Sequence, residues 1–182
     1  MPLNDYLAEH PPHPNPYSAT DIITLLQENH WLTTTPTPEH LAWAGRAAQL
    51  LGHHAEDRAA LANLLRPVFH YDAARILQSP DAQAAISRYA AREVIRHLAL
   101  LLLEPAPFTS ERFKEVATYL KETCGVRSRD LFNPIRLSLA GRVGEGELDR
   151  VILLLDEASV LPFTTPVKSV RTRILEFCSA LD

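Results

Sequence analysis

No segment of this 182-residue chain alternates apolar and polar residues convincingly, whereas helix start and stop signals recur along it. Ser18-Ala-Thr-Asp21 has the form of a capping box. Thr37-Pro38 and Ser79-Pro80 pair an N-cap residue with a proline suited to a first helical position, and Thr109 or Ser110 caps a further segment. Gly52, Gly125 and Gly141 stand where helices should end. Between these marks apolar residues recur at helical spacing: Ile22, Leu25 and Leu26 in one segment, and Ala84, Ala91, Val94, Ile95, Leu98 and Leu102 in another. The pattern predicts an all-α chain of about nine helices with no sheet.

The longest helix is expected over Asp81–Leu103, with Arg88, Arg92 and Arg96 as a solvated stripe opposite its apolar face. A helix is expected over Glu56–Leu65, with Pro67 ending or kinking it. The stretch Ser128–Arg142 reads as a two-piece element broken at Asn133-Pro134. Further helices are expected over Leu148–Ala158 and from Pro166 to the C-terminus. "EPAP" after Leu103 marks a boundary, giving a proline-rich leader over 1–17, a first helical subdomain over 18–106 and a second over 107–182.

Only 6 glycines, against 46% apolar residues, favour helix and permit a real core. No run of 18 apolar residues exists, and the N-terminus lacks the basic and apolar regions of a secretion signal, so a cytoplasmic protein is expected. The net charge of −4 exerts no general pull on nucleic acid. Its distribution is uneven: residues 1–106 carry 7 Lys+Arg against 11 Asp+Glu, and residues 107–182 carry 11 of each. An RNA site would have to be a local patch.

Catalytic patterns are missing. The chain has no glycine-rich phosphate loop, no G-x-S-x-G, no H-E-x-x-H and no C-x-x-C. His53 and His54 are adjacent, so on a helix their imidazoles point about 100° apart and do not converge on a metal. Cys124 and Cys178 make neither a disulfide framework nor a metal site by their spacing. Neither an enzyme nor a cofactor or small-molecule substrate is expected.

The binding signals centre on Arg127, Arg129, Arg136 and Arg142. Arg136 lies between Ile135 and Leu137, just past Pro134. An arginine near a helix start can fork onto a phosphate or a base edge. It can equally pair with Asp130 or cap a neighbouring helix, and residue types alone leave both open.

The segment "CGVRSRDLFNPIRLSLAGRVGEGELDRVILLL" resembles the C-terminal anticodon-binding region of bacterial-type glutamyl-tRNA synthetases. That element reads roughly G-V-K, a spacer, L-F-x-P-[LI]-R-x-A-L-T-G, then G-P-E-L. Here Gly125-Val126-Arg127, Leu131-Phe132, Pro134-Ile135-Arg136, Leu139 and Gly141 match, and Gly146-Glu147-Leu148 echoes the later piece. Weaker similarity extends the match to roughly residues 18–160. The resemblance implies two consecutive helical subdomains gripping an anticodon loop, whose splayed bases are read by stacking and hydrogen bonding. It implies that Arg136 is aimed outward at the cleft between them and that the loop from Gly141 to Leu148 touches the bases.

The departures are informative too. The catalytic domain and its nucleotide motifs are absent from this sequence. A second anticodon-reading arginine of the family falls at His54, with Arg58 one turn on. The proline of G-P-E-L is replaced by Glu145 or Gly146, and a glutamate there repels phosphate. The resemblance thus implies a non-catalytic module binding tRNA, of the glutamate type, through Arg136, Arg142, Arg129, Arg127, His54, Arg58, Glu145 and Leu148, with a synthetase or another protein as a further partner. The alternatives are a helical protein-interaction scaffold that has lost tRNA reading, and an excised part of a full synthetase.

Overall fold

The computed structural model describes residues 15–182, so most of the leader assigned to residues 1–17 lies outside the described residues. Every regular element described is helical: α1 Ala19–Glu28, α2 Pro38–Leu51, a 3-10 turn Gly52–His54, α3 Arg58–Phe69, α4 Ala73–Ile76, α5 Pro80–Ile86, α6 Ala91–Leu102, α7 Ser110–Cys124, α8 Arg129–Ala140, α9 Gly146–Ile152, α10 Leu155–Ser159 and α11 Val170–Leu181. The all-α expectation holds. None of these helices is long and apolar enough to cross a membrane.

The caps behave as their chemistry dictates. Ser18 and Asp21 form a reciprocal capping box on α1. Thr37, Ser79 and Thr109 accept N–H bonds at the starts of α2, α5 and α7. Gly125 and Gly141 take left-handed conformations at the ends of α7 and α8, with φ of 66° and 77°.

Four expectations fail, the first two where packing outweighs local signals. The long helix over Asp81–Leu103 is two helices, α5 and α6, separated by a turn in which Ala90 has φ 60°. A straight helix in phase with Val94 and Leu98 would turn Ala84 inward and Ala82, Ala85 and Ile86 away. The break lets Ala82, Ala85 and Ile86 be buried and leaves Ala84 exposed. The left-handed Ala90 costs about 1–2 kcal/mol, which burial of Ile86 alone offsets at about 1.5–3 kcal/mol. Likewise α8 is one helix through Pro134, not two pieces. Leu131, Ile135, Leu137 and Leu139 are all buried, because α8 is central and packs against α5, α6, α7, α9 and α11. The segment Leu148–Ala158 divides into α9 and α10, and the last helix starts at Val170, capped by Ser169, rather than at Pro166.

Pro67 also lies inside its helix, which runs on to Phe69. A proline at that position cannot bond the carbonyl of Asn63, four residues earlier. Arg142 Nη1 donates to that same carbonyl at 3.0 Å.

One core cluster runs from Ile22 to Phe177, across the boundary expected near residue 106. Trp31 stacks on Phe69 at 4.7 Å, and Trp43 and Phe69 are each centred 5.2 Å from the Phe163 ring. The indole of Trp43 donates to Leu154 O at 3.1 Å. The "EPAP" connection is held by Arg112, whose guanidinium donates to the carbonyls of Leu101, Glu104 and Ala106.

Candidate nucleic-acid interface

Arg136 does not face a cleft. Its Nε and Nη2 donate to the two carboxylate oxygens of Asp149 at 2.7 and 2.9 Å, and Nη1 donates to Gly144 O at 2.6 Å. The guanidinium lies over the Phe132 ring, 5.0 Å from its centroid, and the residue is only 9% exposed. The planar fork matches a carboxylate bidentately. Here it ties α8 to α9 and to the loop between them. The pairing with Asp130 does not form, because Asp130 binds Arg88 instead at 2.6 Å.

Several other expected contact residues have structural partners. Arg142 bonds the Asn63 carbonyl and side chain, and burial together with the Arg66 charge lowers its pKa. Arg58 forms an ion pair with Glu28 at 3.0 Å, both half exposed. Leu148 is 4% exposed and belongs to the core, so its side chain is not free to meet a base. Glu145 is exposed just before α9 and makes no side-chain cap bond. Arg127 and Arg129 are exposed at the α7–α8 turn. With Arg88, which reaches across to Asp130, they give this edge of the molecule its cations.

His54 is the expected residue that does line a concave surface. A groove of about 520 Å³ separates it from α7 and α9, with Leu50, Phe113 and Leu153 as apolar lining and Lys114 and Arg150 as cations. Arg46 also borders the groove but is paired with Glu157 at 3.0 Å. Burial lowers the His54 pKa most and the Arg150 charge lowers it further, Glu147 opposes them, and His53 adds the smallest lowering. His54 is therefore a neutral ring near pH 7, able both to donate and to accept a hydrogen bond. An apolar floor beside cations is the arrangement on which an unstacked base can lie while its phosphates meet Lys or Arg.

Sequence reading missed Lys114 and Arg150. Each is an ordinary cation on an exposed helix face, and only tertiary packing brings them to His54. No motif or spacing signals that meeting.

These features define a helical module whose groove combines apolar lining and cations with the Asp149 carboxylate that Arg136 holds. No protein-family model matches the chain, and no solved structure matches it. Over 81 residues, 44% of its length, the chain is 38% identical to Glutamate–tRNA ligase 2 of Syntrophus aciditrophicus (strain SB). It is thus related in part to a glutamyl-tRNA synthetase, and the match spans 16% of that relative's length.

Proposed function

We propose that the chain is a non-catalytic tRNA-binding module of the kind found in glutamyl-tRNA synthetases, contacting the anticodon loop through the His54 groove. The observation that carries this reading is the groove itself, where His54 meets Lys114 and Arg150 over an apolar floor. The partial identity to a glutamate–tRNA ligase supports tRNA as the nucleic acid. A flipped base stacks against Phe113, His54 hydrogen-bonds its edge, and Lys114 and Arg150 hold flanking phosphates. Arg127 and Arg129 supply a second, sequence-independent contact to the backbone. Arg136 acts indirectly by fixing the α8–α9 loop beside the groove.

A helical protein-interaction scaffold is the second reading. It is favoured by the net charge of −4 and by the internal pairing of Arg136, Arg58 and Arg46.

The test is a titration with glutamate tRNA at two salt concentrations. Binding should weaken with salt, and Lys114→Ala with Arg150→Ala should lower the salt slope by roughly one for each phosphate contact removed. His54→Ala should cost about 1–3 kcal/mol of binding, in line with a lost base contact. An absence of binding at low salt removes the proposal and leaves the scaffold reading. Arg136→Ala is not a clean probe, because it also removes a structural ion pair.

A further inference from the structure

Away from the groove, three side chains with metal-binding donors meet between α6 and α7. Glu93 and His97 stand four residues apart on α6, which places their side chains on one face a turn apart. Their nearest atoms, Oε1 and Nε2, are 3.9 Å apart. Cys124 closes α7 and projects its thiol from the opposite side, with the residue only 6% exposed. One donor atom from each residue lies within 4.8 Å of the other two.

The chemistry of this set is selective. A thiolate, an imidazole and a carboxylate suit zinc and its borderline neighbours rather than magnesium or calcium, which take oxygen ligands. With metal–donor distances of about 2.0–2.3 Å, tetrahedral geometry requires donors roughly 3.3–3.8 Å apart. The Glu93–His97 pair is already near that value. Both side chains keep contact with solvent, at 55% and 31% exposure, so rotamer adjustment can close the remaining gap without disturbing the core.

We propose that Glu93, His97 and Cys124 form a three-ligand zinc-type site whose fourth position is open to solvent. The site clamps α6 to α7 across the connection that Arg112 already secures. The thiol of Cys124 is held up by burial and by the Glu93 charge. Coordination reverses that balance: the S–H bond breaks, a sulfur–metal bond forms, and the proton passes to solvent. No redox change is involved, and the inference is independent of RNA binding.

The experiment uses the full chain, reduced and metal-free, titrated with Co²⁺ and then with Zn²⁺. One equivalent of Co²⁺ should release a proton per site and produce a thiolate-to-metal charge-transfer band, which Zn²⁺ then bleaches by displacing the cobalt. Cys124→Ala should abolish the band. Should that buried substitution unfold the chain, His97→Gln, at a half-buried position, decides the matter. It should weaken Zn²⁺ binding by more than the roughly 10–100-fold that loss of an outer-shell partner costs. Absence of a charge-transfer band at one equivalent overturns the proposal. So does Zn²⁺ binding that His97→Gln leaves unchanged, since the metal is then held elsewhere.

Discussion

Arg136 has a carboxylate opposite it; Arg173, buried more deeply, has none. Arg173 is 0% exposed, and four backbone carbonyls surround its guanidinium. Its donors reach Pro67 O and Val68 O at 2.7 Å, Lys168 O at 2.9 Å and Leu139 O at 3.1 Å. The Tyr71 ring lies 4.7 Å from it, and the Tyr71 hydroxyl donates to Ser138 O and Arg173 O. Pro67 and Val68 belong to the last turn of α3, and Ser138 and Leu139 to the last turn of α8. Carbonyls there have no intrahelical partner and carry the negative end of the helix dipole. Arg173 therefore replaces a counter-ion with two helix C-termini. The arrangement has a cost: burial pulls the Arg173 pKa down to about 10, against the opposing influence of Tyr71 and Glu176. Arg136 secures one loop by a charge pair, whereas Arg173 joins helices from both halves of the chain by their backbone ends.

The comparison is broken most directly by removing each cation. Arg173→Met strands four carbonyls at once, each costing about 1–3 kcal/mol, so a loss of at least about 4 kcal/mol is expected in urea unfolding followed by circular dichroism. Because its partners are backbone groups, no second-site side-chain change should rescue it. Arg136→Met should cost about 3–5 kcal/mol, as for a buried pair that loses one member. Here rescue is expected: the double variant Arg136→Met with Asp149→Leu should recover most of the loss. Strictly additive losses in that double-mutant cycle would show that Asp149 is not what balances Arg136.

This contrast also explains what could be read from residues alone. Caps such as Ser18 and Asp21 are local, so the helix starts were legible. The all-α class followed from apolar spacing that needs no partner to be seen. Arg136 was recognisable as an unusual charge, but its direction depends on Asp149, thirteen residues away and in another helix. Pro134 looked like a break because local rules do not include the burial of α8 on all sides. Arg173 drew no notice at all. Its partners lie near residues 67 and 139, and a carbonyl acceptor leaves no mark in a side-chain sequence. His54 entered through the resemblance and does line the groove, while Lys114 and Arg150 carried no local signal.

Smaller effects refine the difference between the two anchors. Tyr71→Phe keeps the ring over Arg173 and removes only the hydroxyl, whose acidity burial strongly suppresses. A loss of about 1–2 kcal/mol is expected from the two bonded carbonyls. Arg142 tests the same principle at a half-exposed site. Arg142→Met should cost about 1 kcal/mol, because the Asn63 carbonyl loses its donor. In a Pro67→Ala background the residue at position 67 regains an N–H that can bond that carbonyl. The cost of Arg142→Met should then shrink. An undiminished cost would mean that Arg142 contributes through packing instead.

The smallest effect concerns His70, which receives a hydrogen bond at Nε2 from the Trp31 indole at 2.8 Å. That bond requires an unprotonated Nε2. Burial lowers the His70 pKa from its ordinary value near 6.5, with the Arg66 charge as the second cause. The folded state therefore resists taking a proton that the unfolded chain accepts. Stability from this group is complete above about pH 6.5 and declines as pH falls toward the lowered folded value. An NMR titration of the His70 ring should give a midpoint below 6.5, and Arg66→Gln should raise it toward the ordinary value. A midpoint at or above 6.5 in the unaltered chain would contradict this. Because the ring is partly exposed, solvent screens the Arg66 effect. His70 therefore adjusts stability slightly with acidity, whereas Arg173, sealed among carbonyls, has no such freedom.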